Sequence, residues 1–145
     1  MKTPNRIYVS IDLDAVSYNL ENMKKNIHED TKIIAVLKAD GYGHGALPIA
    51  EHIESLPYIW GFAVACVEEG LALREGGIKK PVLILGYTFL EDYETIIKND
   101  FRPTVFTGKM AEDLSDTAKR LNKTVKIHIK LDTGMTRIGY RDLQR

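Results

Sequence analysis

Two rhythms of apolar and polar residues alternate along this chain. Short, nearly unbroken apolar runs occur at "KIIAVLK" (Lys32–Lys38), "YIWGFAVA", "PVLILG" and "RPTVF". Between them lie longer stretches, such as "ALPIAEHIES", "LEDYETIIKN" and "GKMAEDLSDTAKRLN", in which apolar residues return every three or four positions. The first rhythm predicts strands apolar on both faces, as in a parallel sheet covered by helices; the second predicts those helices. "CVEEGLALREGG" fits a helix closed by Gly76-Gly77. The last run, "TVKIHIKLD", is a strand of a different kind. Val125, Ile127 and Ile129 share one face, and Lys126, His128 and Lys130 share the other.

The beginning of the chain stands apart. "RIYVSIDL" (Arg6–Leu13) alternates like a half-buried strand, and a helix follows with Asp14 as its cap and Val16, Leu20, Met23 and Ile27 at helical spacing. The expected organisation is an N-terminal strand and helix over 1–30, then β-α units over 31–145, with five strands from Lys32 onward. Two α/β architectures suit that rhythm. A doubly wound sheet could be complete at this length, whereas a (β/α)8 barrel typically needs about 250 residues. The chain stops at "RIGYRDLQR", directly after a strongly patterned stretch. The expectation is therefore a piece of a larger fold, truncated at its C-terminus.

Charge narrows the function. Lysines and arginines equal aspartates and glutamates, 20 of each, so nothing argues for a nucleic-acid partner or an anionic membrane surface. No apolar run is long enough to span a bilayer, and "MKTPNRIYVSIDLD" has no apolar signal core, so a cytoplasmic protein is expected. The single cysteine, Cys66, excludes an internal disulfide framework and a cysteine-based zinc cluster; it reads as a small buried hydrophobe. No metal site is expected. Trp60 reads as core or strand rim, and Glu68, Glu69, Arg74 and Glu75 as a solvated helix face.

The chemistry concentrates at "AVLKADGYGHG" (Ala35–Gly45). Lys38 ends an apolar strand, where parallel α/β folds place their ligands. An amine there either snorkels to solvent or, desolvated, attacks a carbonyl. Gly41, Gly43 and Gly45 let backbone approach a ligand closely, and Tyr42 offers a phenolic donor to an oxyanion. The spacing is neither a dinucleotide fingerprint nor a P-loop. Near the other end, Asp132, Met135 and Arg137 follow the strand that carries Lys130. A guanidinium such as that of Arg137 can grip a carboxylate or phenolate with a planar fork. Lys130 read by itself pairs with Asp132 or with water.

"AVLKADGYGHG" resembles the pyridoxal-phosphate attachment motif of the alanine racemase family. "KLDTGMTRIGY" (Lys130–Tyr140) resembles that family's second N-terminal signature, and "IDLDAVSYNLENM" and "EEGLALREGGIKKPVLILG" are similar to it in collinear order. Two positions depart from the pattern: Gly41, where alanine is common, and Thr136, where glycine is common.

The resemblance implies a fold-type III, TIM-type barrel, here about five of its eight strands, whose odd first strand belongs with a C-terminal β-domain. It implies pyridoxal 5'-phosphate as cofactor, bound covalently by Lys38, with Tyr42 donating to its phosphate and Arg137 touching its phenolic oxygen. Arg137 and Met135 would contact substrate. Lys130 matches a lysine often carried as a carbamate, an anion that would hold Arg137. The implied reaction interconverts L- and D-alanine for cell-wall synthesis, with Lys38 as one base and a tyrosine from the second subunit of a homodimer as the other. This chain alone is expected to be inactive. The alternatives are a serine racemase of the same family, or a non-catalytic pyridoxal-phosphate carrier.

Overall fold

The computed structural model describes residues 7–141. The chain divides into two units, Met1–Thr31 and Lys32–Arg145.

The first unit is built on helix α1 (Leu13–Lys25). Its cap is Asp12 rather than Asp14: the Asp12 carboxylate accepts from the Ala15 N–H at 3.1 Å, and Asp14 sits in the first turn, where its charge suits the helix dipole. The helix is closed by Lys24, whose ammonium donates to the carbonyls of His28, Glu29 and Thr31 at 3.0, 2.6 and 2.8 Å. Residues 7–12 form no strand among the described residues, and Arg6 lies outside them. A strand exists only as half of a pair, and alternation alone supplies no partner.

The second unit alternates strands and helices. Its elements are β1 (Ile33–Val36), the one-turn α2 (Lys38–Tyr42), α3 (Ala46–Ile53), β2 (Ile59–Val64), α4 (Val67–Glu75), β3 (Val82–Ile84), α5 (Tyr93–Lys98), β4 (Phe101–Val105), α6 (Gly108–Arg120) and β5 (His128–Ile129). All pairings are parallel and the strand order is β1-β2-β3-β4-β5. A doubly wound sheet reverses its order at a switch point, and this one does not. Strands added always on the same side are the winding of a (β/α) barrel, so the barrel reading prevails over the doubly wound one.

One face of the sheet forms the core. Phe62, Val64, Val82, Ile84, Phe101 and Val105 are each at most 1% exposed. Phe101 lies against Gly70 of α4, so this face is the one the helices cover. Burying each such side chain contributes roughly 1.5–3 kcal/mol. The opposite face carries Ala63, Leu83 and Arg102 in one paired row, then Thr104 paired with His128. Trp60 should by alternation point with Phe62. The β1–β2 pairing instead passes from Ile33↔Ile59 to Ile34↔Gly61, leaving Trp60 as the extra residue of a bulge. Bulges re-aim side chains. Trp60 accordingly stacks under the Arg102 guanidinium at 4.6 Å and meets the His128 ring edge-on at 5.7 Å. Burial, then the Arg102 charge, push the His128 imidazole below its usual pKa. Among the described residues no helix is long and apolar enough to cross a membrane.

Candidate active site

Strand alternation builds the site. Two residues beyond Val36, Ala63, Leu83 and His128 on the inner face come Lys38, Ala65, Leu85 and Lys130. Together with Gly86, Tyr87, Arg137 and Ile138 they line a cavity of about 390 Å³. Three cationic groups therefore line it from the ends of β1 and β5 and the segment after β5, with no carboxylate on the lining among the described residues. Such a wall suits an anion, and phosphate and carboxylate groups are the anions it can grip. Buried Thr104 steadies one side by donating its hydroxyl toward the carbonyls of Leu85 and Gly86, at 3.3 and 3.2 Å.

Lys38 leads straight into an unusual turn. Ala39 and Asp40 take φ 51°, Gly41 φ 63° and Tyr42 φ 57°, so α2 is wound left-handed. Each of the three non-glycine residues costs roughly 1–2 kcal/mol in that region. Hydrogen bonds offset the strain: Gly41 N–H to the Leu37 carbonyl at 2.9 Å, Gly45 N–H to the Asp40 carbonyl at 2.8 Å, and Ala46 N–H to the Asp40 carboxylate at 2.8 Å. Gly41 takes its conformation freely, which gives this departure from the family pattern a local reason. Tyr42 is 60% exposed, with its ring 5.8 Å from the Lys38 ammonium, and it lies outside the cavity lining.

Arg137 is delivered by a loop folded around Asp132. Backbone bonds join the Asp132 N–H to the Tyr140 carbonyl at 2.8 Å and the Tyr140 N–H to the Lys130 carbonyl at 2.9 Å. The Asp132 side chain, 3% exposed, accepts from Gly134 N–H at 3.1 Å, Thr136 N–H at 2.8 Å and Arg141 Nε at 3.0 Å. Those donors, Thr136 first, hold its carboxyl below the usual carboxylate range. Asp132 is thus occupied by its own loop. Thr136 adopts φ 54°, which explains why glycine suits that position better. Met135 is 74% exposed at the loop tip and does not line the cavity.

Two residues assigned to a solvated helix face have other work. Arg74 is half-buried and stacks on the Phe101 ring at 5.4 Å. It donates to the carbonyls of Asn99, Ile78 and Lys80 at 3.1, 2.8 and 2.9 Å. Glu69 accepts from the backbone N–H groups of Ala39 and Ala65, each at 2.7 Å. Cys66 is half-buried at the cap of α4, and burial pushes its thiol pKa up, away from reactivity.

Comparison with known proteins decides the family. The profile described as "Alanine racemase, N-terminal domain" matches residues 11–145. The chain belongs to the alanine racemase N-terminal domain family. It is 45% identical over 134 residues to alanine racemase 1 of Caldanaerobacter subterraneus subsp. tengcongensis, covering 92% of this chain and 34% of that protein. Against alanine racemase 1 of Oceanobacillus iheyensis the identity is 42% over 135 residues, covering 92% of this chain and 35% of the relative. Among solved structures, alanine racemase of Clostridium difficile 630 superposes with a TM-score of 0.86 at 43% identity, over 89% of this chain and 34% of that one. The chain thus spans about a third of the length of the alanine racemases it matches.

Proposed function

We propose that the complete protein is an alanine racemase that uses pyridoxal 5'-phosphate, as a homodimer in the cytoplasm. One observation carries the reading: Lys38, from the first strand of the sheet, and Lys130 and Arg137, from the last strand and the loop after it, line one cavity with no carboxylate on its wall among the described residues. That donor set fits a cofactor bearing a phosphate and a phenolate, and a substrate bearing a carboxylate. The naming of 41–45% identical relatives as alanine racemases supports the substrate.

In this reading Lys38 holds the cofactor through its Nζ, and Tyr42, at the mouth of the same turn, donates its hydroxyl to the phosphate. Arg137 binds the phenolic oxygen and orients the substrate carboxylate, and Met135, outside the cavity lining at the tip of the same loop, would meet the substrate only at the cavity's entrance. The cofactor, when bound, supplies an electron sink that stabilises the carbanion left by Cα-proton loss. Lys38 Nζ, once the substrate's own amine has displaced it from the cofactor, would be a free amine able to take the proton from one face of Cα, and a tyrosine from the partner subunit would return one to the other face. Lys130 and Arg137 line the same cavity, and none of its described lining residues is an anion. Carbamylation, in which the amine adds carbon dioxide and releases a proton, would turn Lys130 into the anion that Arg137 lacks. We further read 1–30 and 31–145 as the boundary between the leading strand and helix and the cofactor-binding barrel.

The test is borohydride reduction of the complete protein with pyridoxal phosphate, followed by peptide mapping, alongside Cα-hydrogen exchange of L-alanine and L-serine in deuterated water. Label on Lys38 with exchange of alanine is the expected result. Label on another lysine, or no exchange of either amino acid, overturns the proposal.

A further inference from the structure

Glu69 occupies a position that the reaction as described does not use. It is the third residue of α4, whose cap is Cys66. In a capping box a glutamate here turns back to the N–H of its own cap residue. Glu69 reaches one residue further: Oε2 accepts from Ala65 N–H, just past β2, and Oε1 crosses to Ala39 N–H, just past β1. Both contacts are 2.7 Å, the length of charge-assisted bonds. One carboxylate therefore ties together the chain just past the ends of two neighbouring strands.

We propose that Glu69 is the positioning residue for Lys38, setting the direction of its amine by fixing the peptide that follows it; this rests on the reading of Lys38 as the cofactor lysine. The Ala39 N–H belongs to the Lys38–Ala39 peptide unit, so holding it holds the ψ angle of Lys38. It also anchors the first residue of the left-handed turn, where the chain is strained and would otherwise relax. Ala65, held by the other oxygen, is itself on the cavity wall. The same carboxylate thus sets the spacing between the lysine and the wall it faces. Both oxygens must be acceptors. An amide has only one, and its NH2 would point a donor at a backbone N–H.

A second cavity of about 140 Å³, lined by Leu37, Asp40, Val64, Glu69 and Leu73 among others, lies under the turn. Glu69→Gln is isosteric beside this space and introduces no overlap. Glu69→Asp keeps two acceptor oxygens but retracts them by one methylene, so it too gives up one bond and serves as the second variant.

Two measurements on the complete protein test the proposal. The first, without cofactor, is amide hydrogen exchange. In both variants exchange at Ala39, Ala65 or both should rise about 10- to 100-fold, the worth of one hydrogen bond to a charged group. Amides of β3 should exchange at the parental rate, showing that the fold persists. The second is the fraction of Lys38 trapped by borohydride at saturating pyridoxal phosphate, followed against pH. It should fall severalfold in the variants. Faster local exchange with unchanged trapping would overturn the positioning role while leaving Lys38 as the cofactor lysine. Unchanged exchange at both amides would show that the clamp does not exist in solution. Label on a lysine other than Lys38 in the parent protein would overturn the site reading and this inference with it.

Discussion

Replacing Gly86 with alanine tests whether the cavity wall is as tight as its geometry demands. A Cβ on Gly86 would lie 2.4 Å from the Ala65 carbonyl oxygen, a backbone atom with no side-chain freedom to retreat. Ordinary contact begins at 3.4 Å, so the ends of β2 and β3 must part by about 1 Å. That movement stretches the Gly86 N–H to Ala65 carbonyl bond, now 3.1 Å, beyond hydrogen-bonding range. It also pulls the Gly86 carbonyl from the Thr104 hydroxyl, which donates to it at 3.2 Å. Overpacking costs about 1–3 kcal/mol and the lost backbone bond about 1 kcal/mol, so the expected destabilisation is about 2–4 kcal/mol. Urea unfolding followed by circular dichroism should show a midpoint lower by about 1–2 M. Gly108→Ala is the control. It adds a Cβ with nothing within 4 Å at the first position of α6, and should leave stability equal or slightly raised. If Gly86→Ala unfolds at the parental midpoint, the strand ends are looser than described and the wall formed by Ala65, Leu85 and Gly86 has no fixed shape.

Two further outcomes follow from side chains that the loops depend on. The Asp132 carboxyl is held below its unfolded value, so its contribution to the Arg137 loop is fully present above about pH 4 and is lost as pH falls through the folded value. The Thr136 and Gly134 amide shifts should titrate below pH 4 in the parent chain and stay flat in Asp132→Asn; a midpoint above 4 would refute the assignment. Arg74→Lys should destabilise by about 2–4 kcal/mol in thermal or urea unfolding, since an ammonium cannot span the three carbonyls of Asn99, Ile78 and Lys80. A lysine variant as stable as the parent would mean those carbonyls find other donors.

The chain's own pattern determined a good deal. Short unbroken apolar runs alternating with amphipathic stretches fit strands of a parallel sheet, so "KIIAVLK" and "PVLILG" pointed to one, although β1 proved only half-buried, with Val36 40% exposed. The alternation of "TVKIHIK" likewise placed Lys130 on the face opposite Ile129, and that face proved to be the cavity side. Period alone carries such information because it depends on backbone geometry, which is local. Three things were not local. The leading run Ile7–Leu13 has a strand's alternation but pairs with nothing among the described residues, since pairing needs a second segment. Trp60 was turned to the inner face by a bulge whose existence depends on the register of two strands. Glu69 and Arg74 read as solvated charges because each stands next to another charged residue in the sequence, Glu68 and Glu75, on a helix with no other mark of burial at those positions. Glu69 lacks the serine or threonine cap that would have marked a capping box, and its second acceptor bond goes to Ala39, 30 residues away. Sequence period tells which way a side chain points along its own element, and only the tertiary fold brings a distant N–H to meet it.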